Sequence, residues 1–438
     1  PRHWIGPEEL DAKYWQNAQT QEKRSQEFFE KPVEWLEKMD RTDSQGFARR
    51  DFLTLMGASM ALATAACARR PVHKIIPYVV KPEEIIPGVA NWYSSTCREC
   101  STGCGIFAKN REGRPIKLEG NPDHPVNHGS LCARGQASIL NLYDPERLKS
   151  PLVRSRGDAI GKETTWAEVD RALSTKLRRA NRVRILTGPL YGNSASQLIR
   201  EFLNGFSSGH HVEFEPLELS EISDAQQLSY GTAVQPHYDF SQADVICSLG
   251  ADFLGTWNTA LENSGAWSKK RKLTSPGSGH FKMSKFYCFE PTMTITGANA
   301  DERYPIRPGD ELKVAMAITH ELMIGMGVSR FASDSSIVSL ISGYSPSSVA
   351  IQLGMDDGGK TISKIAHDLW QARGKGLVVA GGIQSRTRDA VALQIAVNFL
   401  NSILENEGST VDGTSKSNPG SAGFSAVAKL IQEMKTGQ

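Results

Sequence analysis

Charge of one sign is what this chain lacks most. Its 438 residues carry 50 Lys and Arg against 48 Asp and Glu, a net charge of +2. There is no overall basic field to hold nucleic acid, and no acidic excess of the kind that keeps a chain disordered. Long hydrophobic runs are missing as well, since none approaches the ~20 apolar residues that span a bilayer. Cysteine is sparse at seven, too few for a disulfide scaffold of this length. The hydrophobic share of 39% is that of a globular protein. At roughly 150 residues per domain the chain is long enough for two or three cores. What cysteine there is lies unevenly: four of the seven fall within 36 positions.

Residues 1–48 are polar and charged. Short helices are expected around 7–15 and 32–39, where Pro opens the first turn at no cost. Trp4, Trp15, Phe28, Phe29 and Trp35 are spaced too irregularly for one amphipathic helix. The segment reads as an extended arm lying on a partner or on its own domain, with a flexible tail as the plain alternative. Phe47-Ala48-Arg49-Arg50-Asp51-Phe52-Leu53 then leads into the small, apolar Thr54–Ala66. The paired Arg49 and Arg50 followed by Phe-Leu and a weakly hydrophobic run have the form of a twin-arginine export signal; the rival is a buried helix after two arginines. That export route carries folded proteins, so a cofactor site is expected downstream. Cys67 follows Leu62-Ala63-Thr64-Ala65-Ala66, as at a lipoprotein processing site. Lipidation of Cys67 is one reading; retention of the upstream segment, which denies Cys67 a free amine, is the expected one. Residues 49–67 form the signal-like helix of this scheme.

The region 68–150 contains Cys97-Arg98-Glu99-Cys100-Ser101-Thr102-Gly103-Cys104 and, later, Leu131-Cys132-Ala133-Arg134-Gly135. Three cysteines on one tight loop present sulfur to three corners of a cube, and a fourth closes it. Four thiolates make the donor set of a [4Fe–4S] cluster. Gly103 and Gly105 let the loop turn so that backbone N–H groups point at sulfur, which raises the potential. Zinc and disulfides compete. Zinc sites show paired C-x2-C knuckles, and only Cys132 follows here. Cys97 and Cys100 are a poor structural disulfide. Gly105–Lys109 and Pro115–Glu119 read as a hairpin turning at Gly113. His124 and His128 fall in the loop beyond it and read as hydrogen-bonding residues, because four cysteines already satisfy a cubane. Cys247 and Cys288 sit in apolar strand contexts and read as core.

Beyond 150 the pattern changes. Trp166–Leu177 and Ser196–Phe206 read as helices. Arg182–Gly188, Ala243–Asp252, Lys285–Glu290 and Gly376–Gly382 read as buried strands, most of them ending in glycine turns. Such alternation predicts a parallel α/β sheet over 151–438, with ligands at the strands' carboxyl ends. Gly250, Asp252, Glu290 and Gly381 would rim that pocket. Residues 405–424 read as a polar Gly/Ser-rich loop, and Ser425–Met434 as a final amphipathic helix.

C-x2-C-x3-C, the hairpin, the run EGNPDHPVNHGSLCARG at 119–135 and the α/β region together resemble the molybdopterin oxidoreductase superfamily. The arm, RRDFL, AAC at 65–67 and IIPYVVKPEEIIPGVANWYSSTC at 75–97 resemble more narrowly the molybdopterin-like part of the large iron–sulfur subunit of alternative complex III, a bacterial quinol oxidoreductase. The resemblance implies a small β-rich iron–sulfur domain followed by Rossmann-like α/β domains. It implies Cys97, Cys100, Cys104 and Cys132 as ligands of a [4Fe–4S] cluster, with Arg134 as the basic residue between cluster and pterin. Its partners would be a membrane quinol-oxidising subunit, a ferredoxin-like iron–sulfur subunit or domain, and c-type cytochrome subunits. The place would be the extracytoplasmic (periplasmic) face of the inner membrane.

Two departures qualify this. Relatives show Asp-Pro-Arg where this chain has Glu290-Pro291-Thr292, so the basic residue that meets a phosphate is missing. Asp252 and Glu290 add negative charge where a doubly phosphorylated ligand would lie. No molybdenum ligand stands out, Tyr191–Ser196 being a loose fit, and no catalytic residue is assigned. A vestigial pterin pocket without molybdopterin is therefore expected. The chain is also shorter than catalytic relatives, and a split subunit or a piece of a longer one is expected. The expected function is electron transfer or scaffolding within a respiratory quinol oxidoreductase. The rivals are a catalytic molybdoenzyme acting on polysulfide, thiosulfate or formate, and a cofactor-free structural subunit.

Overall fold

The computed structural model describes residues 80, 83, 85–86, 88–155, 161–190, 192–216, 220–272, 283–416 and 424–436. The chain divides by internal contacts into Pro1–Pro82 and Glu83–Gln438, and nearly all described residues belong to the second unit. The arm, the Arg49-Arg50 signal and Cys67 lie outside the described residues.

The second unit opens with an antiparallel sheet of three strands, β1 (Asn91–Thr96), β2 (Gly105–Arg111) and β3 (Arg114–Gly120), in that spatial order. The β2–β3 turn is Glu112-Gly113, both at positive φ (51° and 79°), the hand that matches the twist of a two-residue hairpin. Helix α1 (Ala133–Ala137) follows. The core here is small: Cys97, Cys104, Ile106 and Leu118, closed by Leu131, Ile139 and, from far along the chain, Leu261.

Helix α2 (Trp166–Leu177) starts at a capping box in which Thr165 and Glu168 bond each other's backbone. Strand β4 (Arg182–Thr187), helix α3 (Asn193–Leu203) and strand β5 (Ser208–Glu213) form a β-α-β unit with a two-stranded parallel sheet. This corrects one expectation: the 182–188 strand does not join the main sheet. Its arginines alternate with apolar residues, and all six residues remain at least partly exposed. Such a strand suits a half-solvated sheet, whereas strands covered on both faces are continuously apolar.

After helix α4 (Ser220–Tyr230) and strand β6 (Pro236–Tyr238) comes the main sheet. Its strands are β7 (Val245–Leu249), β8 (Lys285–Glu290), β9 (Glu302–Pro305) and β10 (Gly376–Ala380), all parallel in the order β9-β8-β7-β10. Period-two alternation divides the core. Val245, Cys247, Leu249, Tyr287, Phe289, Val378 and Ala380 face one cluster; Ile246, Phe286, Cys288, Leu377 and Val379 face the other. Helix α5 (Ala260–Arg271) and the short α6 (Ile295–Ala298) follow β7 and β8. Helices α7 (Glu311–His320), α8 (Ser335–Ile341), α9 (Pro346–Leu353), α10 (Lys360–Gln371) and α11 (Ala390–Ile403) supply the first cluster's cover. Cys247 and Cys288 are fully buried among apolar neighbours, the core role their sequence context suggested. Strand β11 (Val411–Lys416) pairs antiparallel with β6, so the segment expected as loop contains a strand. Helix α12 (Phe424–Thr436) is tied to β4 by Arg184 and Glu433, 2.7 Å apart. Among the described residues no helix is long and apolar enough to cross a membrane.

Candidate functional site

The loop joining β1 to β2 starts at Cys97 and ends at Cys104. Its neck is closed by the Cys97 N–H donating to the Cys104 carbonyl at 2.8 Å, continuing the β1–β2 ladder. Gly103 supplies the turn, at φ +62°. Cys97 and Cys104 are buried, while Cys100 near the middle of the loop is half-buried. Cys132 caps α1, its Sγ accepting the Gly135 N–H at 3.4 Å. Gly135 has a packing reason: a Cβ there would lie 2.5 Å from Leu131 Cδ1 and 3.6 Å from Cys97 Sγ. Absence of that methyl lets Leu131 pack against the helix beside the Cys97 sulfur.

The four sulfurs share one electrostatic neighbourhood. Burial pushes the Cys97 thiol up, with Cys100 and Cys132 adding to the rise. Burial pushes Cys104 to about 12, with Cys100, Cys97 and Cys132 each adding repulsion. No disulfide joins any cysteines among the described residues. Cys100, Cys104 and Cys132 line one cavity of about 100 Å³, with Arg134 and Glu215 in its wall. Converging donors that repel one another as anions are the chemistry of a cation site, because positive charge at the centre reverses the sign of the interaction. Among the described residues no three His, Cys, Asp or Glu side chains are grouped to hold a metal ion. A zinc would draw its thiolates to about 3.8 Å from one another, given Zn–S of about 2.3 Å. A cubane gives each thiolate its own iron and spreads the four more widely. Three of the four sulfurs line the cavity, and an all-thiol donor set is that of an iron–sulfur cluster.

Sequence reasoning missed the residue that holds this loop to its support. Asn127, 2% exposed, accepts the Gly105 N–H at 3.0 Å and donates to the Gly105 carbonyl at 3.0 Å and the Ser130 carbonyl at 2.7 Å. Gly105 is needed for space, not for its φ: a Cβ would fall 2.5 Å from His124 Cδ2. His124 thus packs against the strand start while its Nδ1 accepts the Val126 N–H at 3.4 Å, the loop role expected of it.

Gly250, Asp252, Glu290 and Gly381 do come together at the carboxyl ends of the main sheet. Gly250 N–H donates to Phe289 at 2.8 Å and Gly381 N–H to Leu249 at 3.2 Å. Both glycines have positive φ, 78° and 88°. The space above them is occupied. A Cβ on Gly250 would lie 1.9 Å from Ser385 Oγ, and one on Gly381 would lie 2.3 Å from Gln394 Nε2. Ser385 donates to the buried Glu311 at 2.7 Å and Gln394 to Ala380 at 2.6 Å. Asp252 accepts Thr256 N–H and Oγ1–H, each at 3.0 Å, and Thr296 Oγ1–H at 2.7 Å. Glu290 accepts Thr294 Oγ1–H at 2.7 Å and is paired with Arg303.

Residues 90–144 match the family described as the Molybdopterin oxidoreductase Fe4S4 domain. The menaquinone reductase, molybdopterin-binding-like subunit of Nitratidesulfovibrio vulgaris is 30% identical over 74% of this chain and 46% of its own length. The arsenate respiratory reductase molybdopterin-containing subunit of Shewanella sp. is 23% identical over 54% of this chain and 28% of its own. The nitrate reductase of Symbiobacterium thermophilum is 31% identical over 63% and 36%. Acetylene hydratase from Pelobacter acetylenicus has the same fold, with a TM-score of 0.57 over 73% of this chain and 44% of that one at 13% identity. These matches support the molybdopterin oxidoreductase superfamily for this chain. It spans less than half the length of these curated relatives.

The likeness bears on both sites. The cysteine loop lies within the matched iron–sulfur domain, and the residues present there fit the cluster. The strand-end crevice is where the superfamily's α/β fold would seat a pterin nucleotide, and there the fit is poor. Phosphates approach such folds closely over glycine, and here Ser385 and Gln394 stand against Gly250 and Gly381. The carboxylate of Asp252 adds negative charge at the same strand end, while that of Glu290 is paired with Arg303. The relatives' names point the other way, two of them referring to molybdopterin, and give no support to an absent cofactor.

Proposed function

We propose that this chain is an electron-transfer and scaffolding part of a membrane-bound respiratory quinol oxidoreductase, similar to the molybdopterin-like part of alternative complex III. Cys97, Cys100, Cys104 and Cys132 hold a [4Fe–4S] cluster, and Arg134 is their electrostatic neighbour. A bound cluster would supply one-electron transfer and no bond chemistry. Quinol is oxidised at a membrane partner, and electrons pass through iron–sulfur centres toward c-type cytochromes. The protein works on the periplasmic side after twin-arginine export. The observation that carries the reading is the gathering of four thiols without a disulfide in one electrostatic neighbourhood, three of them lining one small cavity. Ser385 and Gln394 crowding Gly250 and Gly381 support a part without its own molybdenum centre, and the menaquinone reductase relative supports a quinone-linked setting.

A second reading is a catalytic molybdopterin enzyme, favoured by the names of the arsenate and nitrate reductase relatives. Metal and sulfide analysis of the anaerobically purified chain separates the two. The expected result is about four irons and four acid-labile sulfides at this site, lost together in Cys132→Ala, with no molybdenum or tungsten. Stoichiometric molybdenum would establish the second reading. Absence of iron, with a silent paramagnetic resonance spectrum after reduction, would leave only a packing role.

A further inference from the structure

Asn258 combines a fixed backbone with an unmet polar atom. Its backbone is left-handed, at φ +49°, a conformation that asparagine adopts more readily than most residues besides glycine. Its Oδ1 is buried with no hydrogen-bond partner. Its neighbours hold it there. Trp257, 1% exposed, donates its indole N–H to the Ala380 carbonyl at 3.1 Å. Thr259, 2% exposed, donates to Glu262 at 2.8 Å and caps α5. The position is therefore rigid, and the side chain projects from it into the wall of the cavity lined by Cys100, Cys104 and Cys132.

A side-chain carbonyl among thiolates is repelled by them. The amide has the same shape turned end for end, and in that orientation it presents two N–H donors. Sulfur of a cluster is the acceptor such a donor lacks. Hydrogen bonds to cluster sulfur stabilise the more negative, reduced state and raise the potential.

We infer that Asn258 donates a side-chain N–H···S hydrogen bond to the iron–sulfur cluster and raises its reduction potential. The inference rests on the cluster reading above and adds to it a residue more than 120 positions beyond Cys132. It also accounts for asparagine at this turn, since glycine would meet the backbone requirement and aspartate would keep the shape, but neither supplies a donor.

The test uses anaerobically purified chain and its Asn258→Gly and Asn258→Asp variants. Each is titrated potentiometrically with paramagnetic resonance detection, with iron measured in parallel. Glycine is at ease at positive φ and removes no thiolate, so iron content should stay at the wild-type level. At a fixed poised potential the reduced-to-oxidised ratio should fall about threefold to tenfold in Asn258→Gly, the scale of one neutral hydrogen bond. It should fall further in Asn258→Asp, which adds a charge. In the wild type, ¹⁵N-amide-labelled asparagine should show a hyperfine coupling that vanishes in Asn258→Gly. An unchanged midpoint in Asn258→Gly with iron retained would make Asn258 a turn residue and nothing more, leaving the cluster reading intact. Loss of iron from Asn258→Gly would also count against a tuning role. A wild-type chain without iron would remove the cluster reading and this inference together.

Discussion

Replacing Asn127 with alanine isolates the contact on which the cysteine loop depends. Asn127 is 2% exposed, so water does not reach the groups it leaves behind. The Gly105 N–H, held at 3.0 Å, loses its acceptor, and an orphaned buried donor costs about 1–3 kcal/mol. The Gly105 carbonyl loses one of two partners, because the Asn121 N–H still donates to it at 2.9 Å. The Ser130 carbonyl loses the donor that stood at 2.7 Å. At about 0.5 kcal/mol for each of these two, the total is about 2–4 kcal/mol. Since about 1.4 kcal/mol is a tenfold change in an equilibrium constant, local opening of the loop should rise about thirtyfold to several hundredfold. Amide hydrogen exchange reads this directly at Gly105 and at Cys97, whose N–H closes the loop neck. Asn127→Asp is the informative companion. It keeps the acceptor for Gly105 but loses both donated bonds and turns a buried charge toward two carbonyls, so it should protect no better than alanine. Exchange at Gly105 within threefold of wild type in Asn127→Ala would refute the reasoning.

Two further outcomes follow from the α/β region. Arg303→Ala strands Glu290, whose side chain is 3% exposed, with only Thr294 as partner; a loss of about 3 kcal/mol is expected in urea unfolding, largely recovered by adding Glu290→Gln. The His237–Glu262 pair, 3.0 Å apart, makes stability pH-dependent. Glu262's hydrogen bond raises His237 above its ordinary 6.5, so that contribution is complete below 6.5 and lost as pH climbs through the raised value. Burial opposes ionisation of Glu262, but its bonds to His237 and Thr259 win and hold it below 4.5, so its share is present above 4.5 and lost as pH falls through the lowered value. The stability difference between wild type and Glu262→Gln should therefore shrink as pH rises from about 6 to about 9; a difference that grows would contradict the pair.

What the sequence revealed and what it hid follow one physical division. Strands 245–249 and 376–380 were legible because every residue in them is buried, which leaves near-continuous apolar runs broken only by Ser248. The hairpin was legible through Gly113. The cysteine loop stood out because a ligand set would need a particular residue type at a particular spacing, and the matched iron–sulfur domain covers it. Strand 208–213, SGHHVE, carries no such signal; it is a strand because β4 pairs with it. The strand at 411–416 hid in a Gly/Ser-rich stretch for the same reason, its partner lying at 236–238. Asn127 and Asn258 were illegible because their roles depend on where the fold carries them. One clamps a glycine 22 positions away, and the other meets cysteines from a different part of the chain. Asn in a polar loop has many local uses, and nothing in its spacing separates these two.

The segment from Gly250 to Leu261 explains why both candidate sites belong to one mechanical unit. It leaves the end of β7 in the crevice and ends against the cysteine core, where Leu261 packs on Cys97 and Cys104. Between those ends it has little freedom. Asp252 caps the turn at Thr256 and ties it to Thr296. Trp257 is anchored to Ala380 at the end of β10. The carboxylate that is unfavourable for a pterin phosphate is therefore the one that stiffens the wall of the cysteine cavity. The hydrogen bonds that fix the strand-end turn and the rigidity of the cysteine cavity's wall therefore share a structural cause.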